Sequence, residues 1–386
     1  MPGSQISRRR LVPRLGTGLV VVLVFAAAAS GASATAPVHG RWDIPTAAPI
    51  APHSPVAVWT GSRMLVFGRA ARTSYLAAPW SIDVAASYDP ATNRWRKLTP
   101  PAGPRGNYEG GFGAVWTGKE MLVWGPFTHE AYNPATNRWR LLPRPPSDGL
   151  DAVGAGLMAW TGREMIGWGG GCCGDAFDGG AAYNPITNRW RTLARSPLTG
   201  RQSPLGAWTG RELIVFGGSD GDGTALAGAA AYDPATDTWR RIASPPANRG
   251  GALVVWSGHE LLVVGGTGAG RKLPTAGIAY KPATNRWRTL PPMESGRARA
   301  AAVWTGKRLL LWGGEERLSG EDILPAHGLA YDPKSGRWSP LPEASAQGRL
   351  DPVAVWTGSR MIVWGGSDPG EYDARVDGAV FAPATP

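Results

Sequence analysis

Short apolar segments alternate along the chain with turns that are rich in glycine, proline and asparagine. In one repeat the apolar segments 300–304 and 308–312 flank Thr305-Gly306-Lys307, and glycine suits the positive φ of a tight hairpin turn. Two further segments of this repeat, 328–331 and 337–341, flank a second turn that contains proline and glycine. The pattern predicts four antiparallel β-strands per repeat, and little of the chain has the spacing of an amphipathic helix.

Three short motifs recur in a fixed order. The first is Trp-Thr-Gly or Trp-Ser-Gly, which begins at Trp59, Trp116, Trp160, Trp208, Trp256, Trp304 and Trp356. The second is Tyr-x-Pro, which begins at Tyr88, Tyr132, Tyr183, Tyr232, Tyr280 and Tyr331, with a degenerate seventh copy at Phe381. The third is a tryptophan preceded by arginine or threonine, at Trp95, Trp139, Trp190, Trp239, Trp287 and Trp338. Four strands in each repeat of 44 to 57 residues are typical of a β-propeller blade.

The two ends of the chain supply parts of one repeat. The seventh repeat stops after its third strand, near Phe381, and the N-terminal sequence 39–45 matches the fourth strand of the other repeats. We therefore predict that residues 37–386 form one all-β domain, a seven-bladed β-propeller of four-stranded blades. The ring is expected to close when the N-terminal strand joins the last blade, which places Trp42 beside Phe381.

The motifs resemble the kelch repeat, in which a glycine pair ends the second strand, Tyr-Asp-Pro follows in the third and tryptophan begins the fourth. The resemblance covers residues 39–386. Kelch propellers include protein-binding scaffolds, a sialic-acid epimerase and the catalytic domain of galactose oxidase, so the resemblance implies the fold and leaves the function open. The copper radical site of the oxidase needs paired tyrosine and histidine ligands. Because only Tyr75, Tyr108 and Tyr372 lie outside the Tyr-x-Pro motif, we do not expect that activity here.

A secretory signal peptide is predicted for residues 1–36, because four arginines precede the apolar run 19–29 and small residues follow it. Residues 7–12 resemble a twin-arginine export signal, and an ordinary Sec signal is the alternative. The apolar run is shorter than the roughly 20 residues of a spanning helix, so a retained anchor is the less favoured interpretation. The mature protein is expected to be secreted or held in the cell envelope, with no stable membrane span after signal cleavage.

The charge of the chain points to anionic partners. The formal net charge is +11, and +7 without the four arginines of the predicted signal peptide. Such a surface attracts acidic glycans, envelope polymers and other anions. Outside the signal peptide there is no run of lysine and arginine and no nucleic-acid motif, so an acidic glycan or an envelope protein is expected rather than nucleic acid. We expect a monomer.

A repeated arginine is the clearest candidate for a ligand site. Arg201, Arg249, Arg297 and Arg349 each lie seven residues before the tryptophan of the first motif, in four consecutive repeats. These four register arginines are predicted to converge at the mouth of the central channel, where guanidinium groups suit carboxylate or phosphate. Other candidates at the mouth are Arg105, Glu109 and Asp151. The alternative is that each register arginine binds local carboxylates or backbone carbonyls.

The only two cysteines, Cys172 and Cys173, are adjacent and lie among glycines in a loop of the third repeat. In an exported protein they either form a vicinal disulfide or stay free. Adjacent Cα atoms are about 3.8 Å apart, less than in ordinary disulfides, so such a bond is strained. The five histidines show no paired spacing, and neither a metal nor another cofactor is expected.

These observations favour an exported binding module that presents a ligand site at the channel mouth, for an acidic saccharide or an envelope protein. Two alternatives remain. An enzyme acting on acidic sugars, similar to the epimerase, would need a carboxylate for acid–base chemistry, and Glu109 and Asp151 are the candidates. A purely structural envelope protein would need no small ligand. We expect a binding protein rather than an enzyme.

Overall fold

A computed structural model describes residues 38–70, 82–99, 111–125, 128–146, 156–171, 174–318, 321–369 and 374–384. The predicted signal peptide, residues 1–36, lies outside them. Apart from two three-residue 3₁₀ turns, Ala269–Arg271 and Pro282–Thr284, the regular structure in these ranges is β-strand. None of the helical turns in this part of the chain is long and apolar enough to cross a membrane.

The strands occur at short, regular intervals along the chain. In order they are β1 (Gly40–Asp43), β2 (His53–Trp59), β3 (Met64–Ala70), β4 (Ile82–Asp89), β5 (Arg94–Lys97), β6 (Gly113–Trp116), β7 (Met121–Gly125), β8 (Thr128–Asn133), β9 (Arg138–Leu141), β10 (Leu157–Trp160), β11 (Met165–Trp168), β12 (Gly180–Asn184), β13 (Arg189–Thr192), β14 (Leu205–Trp208), β15 (Leu213–Phe216), β16 (Ala229–Asp233), β17 (Thr238–Ile242), β18 (Leu253–Trp256), β19 (Leu261–Val264), β20 (Ala276–Lys281), β21 (Arg286–Pro292), β22 (Arg297–Ala298), β23 (Ala301–Trp304), β24 (Leu309–Trp312), β25 (Glu315–Leu318), β26 (Glu321–Ile323), β27 (His327–Asp332), β28 (Arg337–Glu343), β29 (Val353–Trp356), β30 (Met361–Trp364) and β31 (Gly378–Pro383).

Within the described ranges these strands form seven four-stranded antiparallel sheets and one small sheet. Each four-stranded sheet corresponds to one sequence repeat and takes its number. Sheets 1 to 5 are β2–β5, β6–β9, β10–β13, β14–β17 and β18–β21; sheet 6 is β23, β24, β27 and β28; sheet 7 is β29, β30, β31 and β1. The three-stranded sheet of β22, β25 and β26 belongs to the sixth repeat. The predicted four-stranded antiparallel repeat is confirmed.

The repeated motifs form the two hairpins of sheets 1 to 6 and the first hairpin of sheet 7. In sheet 4, Gly210 has a φ of +92° in the turn between the first and second strands, a conformation that favours glycine. The hydroxyl of Thr209 accepts a hydrogen bond from the backbone N–H of Glu212, at 3.0 Å. In the second hairpin Asp237 is left-handed, with a φ of +52°, and its carboxylate accepts a hydrogen bond from the Tyr232 hydroxyl at 2.6 Å. The motifs therefore fix the turns and hence the register.

The N-terminal strand completes sheet 7. β1 pairs antiparallel with β31, and Trp42 lies directly opposite Phe381. The indole of Trp42 is 5.0 Å from the Phe381 ring and 6.0 Å from that of Trp312 in sheet 6, between centroids. Its Nε1 donates a hydrogen bond to the carbonyl oxygen of Pro342 at 2.8 Å. The predicted pairing of the two chain ends is confirmed.

The core consists of apolar layers between consecutive sheets. One layer packs Ile166 and Trp168 of sheet 3 against Leu213 and Val215 of sheet 4. The layer between sheets 7 and 1 is of the same kind, and the rings of Trp364 and Trp95 are 5.1 Å apart there. The first strands of neighbouring sheets also lie against one another, including β2 of sheet 1 against β29 of sheet 7. Sheets that pack face to face through such layers have the architecture of a β-propeller.

Candidate functional site

The four register arginines precede the first strands of sheets 4 to 7, as predicted, but they are not open to solvent. The exposed fractions of Arg201, Arg249, Arg297 and Arg349 are 1%, 8%, 1% and 0%. Burial disfavours the charged form, and it lowers the pKa of Arg201, Arg249 and Arg297. A guanidinium group remains protonated in proteins, so each of these cations needs partners inside the fold.

Two of the register arginines are held by backbone carbonyl groups. Arg201 donates from Nη1 to the carbonyl oxygen of Gly217 at 2.9 Å, and from Nε to that of Thr199 at 3.0 Å. Arg249 donates from Nη1 to the carbonyl oxygen of Gly265 at 3.3 Å. Within the described part of the chain neither guanidinium group has a carboxylate partner. These two cations are therefore solvated by carbonyl dipoles and not neutralised by an acid.

The other two register arginines have carboxylate partners. Arg297 forms a buried ion pair with Glu316, and its Nη1 donates to the carbonyl oxygen of His327 at 3.0 Å. Arg349 binds both carboxylate oxygens of Asp377, at 2.8 and 2.9 Å, and its Nη1 also donates to the carbonyl oxygen of Gly365 at 3.4 Å. The guanidinium of Arg349 lies 5.5 Å from the ring centroid of Trp312, in the preceding sheet.

This geometry corrects the expectation of four unneutralised guanidinium groups that converge at an open channel mouth. The side chains are buried and bind carbonyl and carboxylate groups of the protein, and those of Arg201 and Arg349 also contact a tryptophan of the preceding sheet. A ligand cannot reach them without displacing those partners. The four register arginines instead have the alternative role stated above, in which each binds local carboxylates or backbone carbonyls. Arg201, Arg249 and Arg349 each bind the carbonyl oxygen sixteen residues later, so the common offset in the sequence does correspond to a common contact in the structure.

The remaining predicted site residues cannot be placed. Arg105, Glu109 and Asp151 lie outside the described residues, and so do Cys172 and Cys173. Their roles at the channel mouth and in a vicinal disulfide stay predictions. In the ranges that are described, no three His, Cys, Asp or Glu side chains come together as metal ligands.

Sequence reasoning missed a second repeated contact, at the hairpin ends of sheets 2 to 5. There a glutamate, four residues after the tryptophan of the first motif, binds the arginine that follows the tryptophan of the third motif. We name these pairs the Glu–Arg clasps: Glu120–Arg140, Glu164–Arg191, Glu212–Arg240 and Glu260–Arg288. Their Nη2–Oε2 distances are 2.6 to 2.8 Å. The signal was present in the sequence as a glutamate repeated at one position.

The clasps also connect neighbouring sheets. Arg140 of sheet 2 donates from Nη1 to the hydroxyl of Tyr183 in sheet 3, and Arg191 of sheet 3 does the same to Tyr232 in sheet 4, each at 3.0 Å. Burial, together with a hydrogen bond to Asp237, raises the pKa of Tyr232 to about 12. Each clasp therefore bridges two strands of its own sheet, and these two clasps also reach the tyrosine of the next sheet.

Replacing Glu260 by glutamine should lower stability in a pH-dependent way. The bidentate hydrogen bond from Arg288 holds the pKa of Glu260 below its ordinary value. A carboxylate whose pKa is lower in the folded protein than in the unfolded chain stabilises the fold at any pH above its unfolded-state pKa. This stabilisation is lost as the pH falls through its folded-state pKa. Because Arg288 is partly exposed, we expect a loss of about 1 kcal/mol at pH 7 that disappears below about pH 4. Urea unfolding of Glu260→Gln at several pH values measures it. Glu294→Gln, at an exposed glutamate, is the control, and an equal loss in both variants would contradict the clasp.

Sheets 1, 6 and 7 depart from this pattern. At the position of the clasp glutamate they carry Arg63, Arg308 and Arg360, and all three side chains are exposed. Arg63 and Arg308 lie 3.5 and 3.6 Å from Asp89 and Asp332. Arg360 has no ion-pair partner in the described part of the chain. The repeat is therefore broken at one position in three consecutive sheets.

Comparison with known families agrees with this architecture. A family model described as the KLHDC2/KLHL20/DRC7 Kelch-repeats domain matches residues 154–366, which is more than half of the chain. The chain belongs to the kelch-repeat family. The match spans all strands of sheets 3 to 6 and the first two strands of sheet 7. No curated protein matches this kelch protein in a sequence search.

Solved structures extend the agreement to most of this kelch protein. One of them is described as a novel fungal alcohol oxidase with catalytic diversity among the AA5 family, in complex with copper. The TM-score is 0.65 at 14% identity, and the alignment covers 89% of this chain and 76% of that one. At this identity the likeness establishes the fold alone, so the oxidase activity and the copper belong to that protein.

Proposed function

We propose that this kelch protein is an exported binding module for an acidic saccharide. Its seven four-stranded sheets would be the seven blades of one closed ring. The packing of sheet 7 on sheet 1 and the pairing of β1 with β31 support this arrangement, because both join the two ends of the chain. Export rests on the N-terminal segment 1–36, which has the pattern of a secretory signal.

The distribution of charge carries the proposal. Many of the acidic side chains are bound to arginines of the protein itself: Asp83, Glu120, Glu164, Glu212, Glu260, Glu316, Asp322, Asp351, Asp368 and Asp377. Several exposed cations have no ion pair within the described ranges: Lys119, Arg163, Arg189, Arg286, Lys334 and Arg360. The surplus of positive charge is therefore free at the surface, where it favours an anionic ligand.

The register arginines do not supply the ligand site, since they are buried and bind carbonyl and carboxylate groups of the protein. The site would instead consist of exposed cations, which bind a flexible polyanion without prior loss of internal contacts. An enzyme acting on acidic sugars rests on Glu109 and Asp151 and stays a prediction. A binding role needs none of the chemistry that those residues would provide.

Binding of the mature chain to polysaccharides tests the proposal. Polygalacturonate and hyaluronate should bind, and the affinity should fall as salt is raised from 50 to 300 mM, because exposed ion pairs are screened. The same polymers with their carboxylates reduced to alcohols keep the sugar chain and remove the charge, so they should bind at least tenfold more weakly. Equal binding of native and reduced polymers, or no binding to any acidic polymer, would refute the proposal.

A further inference from the structure

The hairpin ends of the sheets form one face of the propeller. In each of sheets 1 to 6 the hairpin between the first two strands and the hairpin between the last two lie at the same end of the antiparallel sheet, and in sheet 7 the first hairpin lies there. Hydrogen bonds join these ends from sheet to sheet, as from Arg140 of sheet 2 to Tyr183 and Asn188 of sheet 3. We call the four residues after the tryptophan of the first motif the inner hairpin, because the first strands of neighbouring sheets lie against one another.

The inner hairpins divide this face into two parts of different charge. In sheets 2 to 4 each inner hairpin carries one cation and one acid, and in sheet 5 it carries an acid and no lysine or arginine. The cations are Lys119, Arg163 and Arg211, and the acids are Glu120, Glu164, Glu212 and Glu260. Those of sheets 6, 7 and 1 carry cations and no acid: Lys307, Arg308, Arg360 and Arg63. Sheets 6 and 1 both lie next to sheet 7. The four cations therefore belong to three consecutive sheets.

The remaining contacts leave these cations available. The ion pairs of Arg63 with Asp89 and of Arg308 with Asp332 are 3.5 and 3.6 Å long and partly exposed, so each contributes little. Sheet 7 has Ala382 at the position that Asp89 occupies in sheet 1, and Arg360 accordingly has no carboxylate partner in the described ranges. Arg96 of sheet 1 also lacks a clasp glutamate, because Arg63 stands in its place.

We propose that the inner hairpins of sheets 6, 7 and 1 form the docking surface for an acidic polysaccharide chain. This inference rests on the proposed function and names the place where the saccharide binds. A linear polymer presents a negative charge at each acidic sugar, which matches cations spread over three sheets better than a single small anion does. Each inner hairpin follows a half-buried tryptophan, Trp304, Trp356 or Trp59, which packs against an apolar layer between sheets and holds the start of the hairpin in place.

A saccharide fits this surface better than a membrane does. The exposed large apolar side chains of the described residues are Ile44, Leu141, Ile186 and Val376, and none of them lies in these three inner hairpins. Surfaces that bind membranes usually bury apolar side chains among the headgroups, in addition to any charge attraction. The three inner hairpins offer positive charge, hydroxyl groups and backbone polar groups, which suit the carboxylates and hydroxyls of an acidic saccharide.

Two variants with equal charge test the location. The test variant combines Arg63→Ala, Arg308→Ala and Arg360→Ala. The control variant combines Lys119→Ala, Arg163→Ala and Arg211→Ala, in the inner hairpins of sheets 2 to 4. Both remove three exposed cations from the same face, so both should keep the melting temperature of the parent. Binding to polygalacturonate is measured by isothermal titration calorimetry at 50, 150 and 300 mM salt.

We expect the test variant to bind polygalacturonate roughly tenfold more weakly than the parent at low salt, with a flatter salt dependence. The control variant should change less than threefold. Equal losses in the two variants would overturn the location and leave the proposed function standing, because binding would then depend on diffuse charge. If the parent binds phosphatidylglycerol vesicles and no acidic polysaccharide, both are overturned and the partner is a membrane. A parent that binds native and carboxyl-reduced polymers equally refutes the proposed function itself.

Discussion

Deletion of residues 37–46 is expected to lower the free energy of unfolding by about 5 kcal/mol or more and to reduce the melting temperature sharply. The deletion removes β1 and with it the packing of Trp42 on Phe381 and Trp312. It also removes Thr46, whose carbonyl oxygen accepts a hydrogen bond from the indole of Trp95 at 2.9 Å. The backbone groups of β31 then form an open edge that can pair with other molecules. Aggregation on heating should therefore accompany the loss of stability.

Point variants in β1 separate the packing from the strand itself. Trp42→Ala should cost about 3 kcal/mol, because a half-buried indole and its hydrogen bond to Pro342 are lost. Arg41→Ala changes an exposed neighbour and should have almost no effect. Thermal unfolding followed by circular dichroism measures all three changes against the chain that begins at residue 37. An unchanged melting temperature after the deletion would mean that β1 does not hold the last sheet together.

Replacing Arg349 by methionine should destabilise the protein by about 2 to 3 kcal/mol, less than for a fully buried ion pair, because the Asp377 side chain is 41% exposed. The change leaves Asp377 without its bidentate donor and the carbonyl of Gly365 without a hydrogen bond. Arg349 also holds the pKa of Asp377 below its ordinary value, in spite of desolvation. The stability from this depressed pKa is present above about pH 4 and is lost as the pH falls further. The loss caused by Arg349→Met should therefore shrink in acid.

Arg201→Met is the matched comparison. Arg201 is equally buried but has no carboxylate partner in the described ranges, so its removal leaves carbonyl groups and no uncompensated anion. We expect a loss of about 1 to 2 kcal/mol with no change in acid. Urea unfolding of both variants at pH 7 and pH 3 distinguishes the two cases. Equal losses at both pH values would show that Asp377 contributes nothing to the role of Arg349.

The repeats predicted the architecture well because the same turn chemistry occurs in every copy. A Trp-Thr-Gly turn and a Tyr-x-Pro turn are each determined by a few adjacent residues, so periodicity was sufficient to place the hairpins. The pairing of β1 with β31 was also predictable, since residues 39–45 carry the pattern of a fourth strand. The turns of this fold are therefore determined by short motifs that recur in every repeat, and both the motifs and their recurrence are visible in the sequence.

The burial of the register arginines and their partners inside the protein were not predictable in the same way. Arg201, Arg249 and Arg349 bind the carbonyl groups of Gly217, Gly265 and Gly365, each sixteen residues after its arginine, whereas Arg297 binds Glu316 and the carbonyl group of His327. Every residue has a backbone carbonyl, so the sequence does not show which of them accepts a hydrogen bond. The constant seven-residue distance from arginine to tryptophan therefore suggested an open cluster of cations. Asp377 lies four residues before Phe381, the place that Ala276 and His327 occupy in the fifth and sixth repeats, so its carboxylate is particular to the last repeat. Contacts to side chains at constant positions, such as the Glu–Arg clasps, were readable but were overlooked.

The pairing of the two chain ends has a consequence for the order of folding. Trp42 and Phe381 are neighbours in sheet 7 although all of the other six sheets lie between them in the sequence. Contacts of such large sequence separation form slowly, because a long loop must close before they contribute. If the chain crosses a membrane with its N-terminus first, β1 arrives at once and β31 arrives last. Sheets 1 to 6 can then assemble in sequence while β1 remains unpaired, and the final strand pairing marks the end of both transport and folding.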